Sequence, residues 1–420
     1  MKVLTKEEFQ SLFSNFISLT LLQGLNYLLP LITLPYLVKR LGIDNFGLLS
    51  FATATVAYFG ILTDYGFNLT ATKEISMNRD NKSKVVEIFS SVMSIKFLLL
   101  LFSFLLLNIV IFSFERFSKD WLIYILSFGS VVGQFLFPIW FFQGMEKMRY
   151  MTYLNLIAKL IFTIAIFLFI EKKDDIYLVP LFFSLGAIVA GLLSLYIIYK
   201  EFNIGFKLQK LSKLKEYLAQ GWHVFLSRFY VSMYTSTNLL LLGLFTNTTV
   251  VGYYSIAEKI VLAIAGLYEP LNQTLYPYLA RKYKENFNEF RILLKNISLL
   301  FISTTLILFL LSQYYVKELV YLVNGEYETT ITFLLTLFLF RVLTYPYGGL
   351  FSNSLIIMQE TTYYMRVMNY TVLLNFLTVP LATYYFQAKG LIVAFLLVTL
   401  IHVLLLRYYL YQSIKQRINR

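Results

Sequence analysis

Apolar blocks about as long as a bilayer is thick recur along this chain from end to end, and they constrain its fold more than any other feature. Residues 88–110 hold one ionisable side chain, Lys96, and residues 391–406 hold none beyond His402. A helix needs about 20 apolar residues to cross roughly 30 Å of hydrocarbon, and the chain holds about twelve such blocks. The spans are predicted at 12–37, 46–67, 88–110, 121–142, 151–170, 177–199, 217–244, 252–277, 296–316, 330–352, 367–386 and 390–411. The expected fold is an all-α polytopic membrane protein. A β-barrel is excluded, because barrel strands alternate apolar and polar residues over about 10 positions, whereas these blocks are apolar all round. Only 14% of the 420 residues are charged, against about 25% in a soluble domain. Lipid must therefore serve as solvent, and each segment must satisfy its own backbone groups.

Several function classes drop out. Cysteine is absent, which removes disulfides, thiolate catalysis and cysteine metal sites. The two histidines, His223 and His402, stand in different blocks with no carboxylate cluster beside them, so no metal site is expected. No cleavable signal peptide is expected, since residues 1–11 are polar and the first block is too long.

The net charge of +13 is explained by topology, and no nucleic-acid partner is expected. With the N-terminus inside, the inner segments carry 22 Lys and Arg and the outer loops 8. That asymmetry obeys the positive-inside rule and places both termini in the cytoplasm, with the basic excess in contact with membrane lipids. All loops are short, so no soluble catalytic domain is expected. In residues 207–218, KLQKLSKLKEYL, lysines alternate with leucines at helical spacing. This segment reads as an amphipathic surface helix linking two halves, or as a solvated basic linker.

The halves are related by an offset of 205 residues. Gly47-Leu48-Leu49-Ser50-Phe51-Ala52 returns as Gly252-Tyr253-Tyr254-Ser255-Ile256-Ala257, Asp64 falls on Glu269, and Asn68 falls on Gln273. Two six-helix lobes around a central cavity are expected, at 1–199 and 217–420, with a linker at 200–216. Both begin inside, as parallel repeats do in transporters whose substrate path runs between them.

Charges inside hydrocarbon are costly and tend to line a pathway or pair with each other. Lys96, Lys159, Arg228, Lys259 and Arg341 lie within spans, as does Glu258. With Asp64 and Glu269 they make a set with more positive than negative members. Lys96, Arg228 and Arg341 sit near the midplane, and an arginine fork suits bidentate contact with phosphate or carboxylate. A cationic cavity and an anionic cargo are implied. Arg228, Ser232 and Thr235 share one helical face, as do Asn15, Asn26, Pro30 and Thr33, although such polar residues also join helices in lipid. Asp64, Glu269 and Glu258 are candidates for gating with nearby lysines, or for coupling to a proton or sodium gradient. Snorkelling to headgroups competes with that reading for Asp64 and Glu269. Arg407 lies close enough to a span end to snorkel. No cofactor is expected.

Three segments resemble a known family. They are GIDNFG at 42–47, DYGFNLTATKEIS at 64–76, and PIWFFQGMEKM at 138–148. They look like the signatures of bacterial polysaccharide exporters, the Wzx-type O-antigen and capsule-repeat flippases of the multidrug/oligosaccharidyl-lipid/polysaccharide exporter superfamily. The resemblance implies two six-helix lobes in the bacterial inner membrane. Its cargo would be an undecaprenyl-diphosphate-linked oligosaccharide moved from the cytoplasmic to the outer leaflet, with a polysaccharide polymerase and chain-length proteins as candidate partners. Gln143 and Glu146 would then lie at the cytoplasmic entrance. The competing readings are a cation-coupled multidrug or small-solute antiporter and a membrane-embedded polymerase or ligase. An antiporter should favour deep acids, and a polymerase a large outer loop.

Overall fold

The computed structural model describes residues 29–235 and 237–418, with backbone only at 231 and 233–235. Among these residues there are helices, turns and no strand. The helices are α1 (29–41), α2 (Ile43–Asp64), α3 (Phe67–Asn78), α4 (Lys82–Ser113), α5 (Glu115–Ser118) and α6 (Trp121–Leu136). They continue with α7 (Ile139–Gly144), α8 (Met148–Phe169), α9 (Leu178–Phe202), α10 (Leu211–Thr235), α11 (Thr237–Phe245) and α12 (Thr248–Ala265). The remainder are α13 (Glu269–Glu285), α14 (Phe287–Tyr314), α15 (Val316–Asn324), α16 (Thr329–Phe338), α17 (Phe340–Ile357) and α18 (Thr361–Ile418).

Among the described residues nine helical stretches are long and apolar enough to cross a membrane, so the chain is an all-helical, multi-pass membrane protein. The last stretch, α18, holds two predicted spans, because Gln387 interrupts it with φ 51° and ψ −138°. Chain reversal there is marked by a hydrogen bond between Thr371 and His402, 2.8 Å across the two arms. Of the two predicted spans outside the nine, 12–37 lies mostly outside the described residues. The other, 217–244, falls on α10 and α11.

Residues 40–252 form one compact unit. Small residues let its helices close on one another without bulky side chains between them. A β-carbon on Gly133 in α6 would meet Ala187 of α9, and Ser184 and Ser194 of α9 donate to the α6 carbonyls of Leu126 and Leu136. Phe89, Trp140, Phe141 and Phe142 fill the core beside α3 and α7. α10 and α11 belong to this unit as well, although the duplication predicts them on the C-terminal side. Their contacts explain the grouping. Phe225 stacks on Tyr65 at 4.9 Å, Thr237 hydrogen-bonds Tyr58, and Gly243 leaves room for the Phe51 ring.

The expected surface helix through the basic linker is not formed as such. Residues 203–210 are non-helical after Asn203 caps α9 in the left-handed region, and the helix resumes only at Leu211. Lys207 and Lys210 thus precede α10, which runs without interruption into the predicted seventh span.

The second compact unit joins, among the described residues, 29–39 with 253–418. Its core packs Tyr268, Phe290, Phe301, Leu350, Phe351 and Leu406. α13 approaches α17 closely where Gly349 leaves space for Asn272, whose amide is buried against the Pro346 carbonyl.

The duplicated segment has a direct structural expression. Gly47 and Gly252, twins under the 205-residue offset, face each other; a β-carbon on Gly47 would fall 2.7 Å from the Gly252 nitrogen. Asp44 and Thr249 are separated by the same offset, and their side chains hydrogen-bond. Both copies also break their helix beside the matched acid. α2 ends at Asp64 with Tyr65 and Gly66 at positive φ, and α12 passes through a 3-10 turn at Gly266–Tyr268 before Glu269 opens α13.

Candidate functional site

In the unit 40–252, the break after α2 presents Asp64 to two cations from distant parts of the chain. Lys96 of α4 places its Nζ 3.2 Å from Oδ1, and Arg228 of α10 places a guanidinium nitrogen 3.4 Å from Oδ2. Asp64 and Lys96 are 5% and 1% exposed, whereas the Arg228 side chain is 42% exposed. The buried pair satisfies itself. Arg228 keeps surface for a further acceptor, and the cluster carries one net positive charge.

The stretch that holds Asp64 runs on beyond the predicted span. Its sequence position reads as the inner end of a span, but α3 continues the same stretch to Asn78. Asp64 and Lys96 each lie 14 residues from the ends, at Asn78 and Lys82, of their stretches, about 21 Å of helix. The acid is buried and pairs with a lysine that lies 14 residues inside the apolar stretch of α4.

The other predicted residues divide among several places. Ser232 is buried and donates to the Phe229 carbonyl of its own helix at 2.8 Å. Lys159 is half-buried on α8 and is not part of the Asp64 cluster. Asn26 and the Thr235 side chain lie outside the described residues. Gln143 accepts from Thr72 at 3.3 Å, and Glu146 pairs with Arg79 at 2.6 Å. The contacts of these two residues thus tie α7 to α3. In the unit 253–420, Glu258 accepts from Tyr254 at 3.3 Å and feels the charges of Arg341 and Lys259. Arg341 lies over the rings of Phe395, Tyr345 and Phe338 at 4.9, 5.7 and 5.9 Å, a cation–π environment. Glu269 accepts from its own helix neighbour Gln273 at 3.1 Å. The twin of Lys96 at the 205-residue offset is Phe301, buried in the core, so the Asp64–Lys96 pair has no counterpart at the offset positions.

Sequence reasoning missed Asn238, which is 2% exposed with its Oδ1 lacking a protein partner. An amide at the head of the leucine-rich block 239–242 was the available signal.

Residues 12–283, well over half of the chain, match the family described as polysaccharide biosynthesis protein. The chain belongs to that family. Two curated relatives share its sequence in part. A protein of Escherichia coli (strain K12) named "Putative O-antigen transporter" is 37% identical over 64% of this chain and 64% of its own length. A Shigella dysenteriae protein of the same name is 30% identical over 64% of this chain and 67% of its own length. The match thus covers less than two thirds of the first relative. Among solved structures, the lipid II flippase MurJ superposes with a TM-score of 0.72 at 16% identity, covering 94% of this chain and 87% of that one. An inward-facing MATE multidrug resistance transporter gives 0.66 at 12% identity, over 91% and 98% of the two chains. This member of the polysaccharide biosynthesis family thus has the helical fold found in MATE and MurJ transporters.

Proposed function

We propose that this protein is a flippase for lipid-linked oligosaccharides, carrying repeat units on undecaprenyl diphosphate from the cytoplasmic to the outer leaflet. The observation that carries the reading is the Asp64–Lys96–Arg228 cluster: two cations on one carboxylate deep in apolar surroundings, with Arg228 accessible. A diphosphate is the complementary charge, and the Arg228 fork would share it with Asp64. Family membership and the naming of two relatives as O-antigen transporters support the cargo class. Transport would proceed by alternating access in the inner membrane of a bacterium, with both termini in the cytoplasm, a topology that the lysine and arginine distribution supports. The protein would act without a cofactor and as a transporter rather than an enzyme, handing its cargo to the polymerase and chain-length machinery. A multidrug antiporter shares the fold, but the positive excess of the cluster suits anions.

The test is a reconstituted flipping assay with a fluorescent polyprenyl-diphosphate oligosaccharide. Losing a charge–phosphate hydrogen bond costs about 1.5–3 kcal/mol. Arg228→Ala should therefore weaken cargo binding roughly 10- to 150-fold, with Arg228→Lys recovering only part of it. Arg341→Ala is expected to impair flipping as well. Undiminished flipping by both alanine variants would overturn the reading.

A further inference from the structure

The unit 253–420 contains a second feature, a cleft of about 1190 Å³ between α14, α17 and the second arm of α18. Its walls are apolar, with Ile302 and Leu306 from α14, Leu343 from α17, and Leu400 and Leu404 from α18. Ile302, Leu306, Leu400 and Leu404 are exposed. On membrane-spanning helices such a surface meets lipid, so the cleft opens sideways into the bilayer.

One end has a different character. Arg291, Lys295 and Arg407 line it, and no Asp or Glu lines the cleft to neutralise them. Arg291 reaches Asn288 Oδ1 at 3.4 Å, at the same end. From Lys295 to Leu306 is 11 residues, about 16 Å of helix, or roughly half of the 30 Å hydrocarbon core. The apolar length therefore equals one leaflet, and the cations stand at the headgroup level of that leaflet. A positive-inside count explains basic residues near a span end. It does not explain why three of them close one end of a lipid-sized cleft.

We propose that this cleft is a binding site for an acyl-chain phospholipid with an anionic headgroup, drawn from the leaflet on the cationic side. That leaflet is the inner one in the topology given above. The headgroup phosphate would rest among Arg291, Lys295 and Arg407, with an acyl chain along Ile302 and Leu306. A zwitterionic lipid would bring its own ammonium toward three cations. The proposal is independent of what the protein transports.

The full-length protein, delipidated in detergent, would be titrated with phosphatidylglycerol, phosphatidylcholine and undecaprenyl phosphate, with native mass spectrometry and thermal melting as readouts. Phosphatidylglycerol should be retained and should raise the melting temperature, and phosphatidylcholine should do neither. Each cation near the surface contributes about fivefold in affinity. Arg291→Gln, Lys295→Gln and Arg407→Gln should weaken phosphatidylglycerol by about that factor each. Leu306→Trp, which fills the apolar part and keeps the cations, should also reduce retention. Equal binding of the two phospholipids, or unchanged binding by a stably folded triple variant, would overturn the site. Preference for undecaprenyl phosphate over phosphatidylglycerol would assign the cleft to a polyprenyl carrier instead and equally overturn the proposal.

Discussion

Asp64 is the residue on which the buried polar chemistry of the unit 40–252 turns. Lys96 is almost wholly buried and has Asp64 as its ion-pair partner. Removing one member of a buried pair leaves a charge that nothing offsets, at about 3–5 kcal/mol. Asp64→Asn should therefore lower the melting temperature clearly. Asp64→Asn combined with Lys96→Met should recover most of the loss, and a double-mutant cycle measured by thermal melting would read the coupling. Arg228→Gln should leave stability nearly unchanged, because its side chain is half in the open. The same geometry bears on energy supply, which is proposed here as coupling to a proton or sodium gradient. A carboxylate shared by two cations would exchange partners if it took part in such coupling. Asp64→Asn protein, stabilised by Lys96→Met, would then flip cargo with no response to an imposed pH or sodium gradient. Wild-type flipping that ignores both gradients would end the coupling idea. The individual charges were legible in the sequence, because each interrupts an apolar block. Their assembly was not, since 32 residues separate Asp64 from Lys96 and 164 separate it from Arg228, and only the folded helices bring them together.

Among elements, the junction of α3 with α7 gives the most direct test. The Thr72 hydroxyl, 2.8 Å from the Asn68 carbonyl of its own helix, also lies within hydrogen-bond distance of the Trp140 carbonyl and of Gln143, at 3.2 and 3.3 Å, and a β-carbon on Gly144 would sit 2.6 Å from the Ile75 β-carbon. The two signature segments thus meet each other in the fold. Gly144→Ala should overpack this contact and cost about 1–3 kcal/mol, measured as a lower melting temperature and reduced membrane abundance. Across the junction, the Arg79 guanidinium holds the Glu146 carboxyl below its usual range. A carboxyl lowered by folding adds stability that is complete above its unfolded value, near pH 4.3, and is lost as pH falls through the folded value. Wild type and Glu146→Gln should therefore differ slightly in melting temperature at pH 7 and converge toward pH 3. The difference is small because both side chains are exposed. Helix positions here were readable from hydropathy, as in α4 and α9. The left-handed caps at Tyr65 and Glu146 were not, because they depend on the neighbouring helix the chain turns to meet.

On the scale of the molecule, the alternation of span directions is the quantity to measure. Reporter fusions after Lys82, Lys213 and Lys415 should report cytoplasm, and fusions after Lys119 and Lys173 the outside. Inverted reporters in one half alone would break the parallel-repeat topology. Hydropathy anticipated ten of the predicted spans within the nine apolar stretches of the described residues, including the hairpin at Gln387. It did not anticipate that α10 and α11 group with residues 40–210. That choice depends on side-chain fit, such as Phe225 on Tyr65, which a hydropathy profile does not contain.

The meeting of Gly47 with Gly252 bears on why the match at the 205-residue offset is legible in the sequence. Once a gene has doubled, its copies drift apart independently wherever each faces different neighbours, as Lys96 and Phe301 illustrate. A position that rests against its own image is not free in that way, because any enlargement on one side is felt by the other. A β-carbon on Gly47 would meet the Thr248 carbonyl and the Gly252 nitrogen, and one on Gly252 would meet the Ile43 carbonyl, so neither glycine can be enlarged without moving the other segment's backbone. The motif matched at the 205-residue offset thus sits where the two segments constrain each other's substitutions.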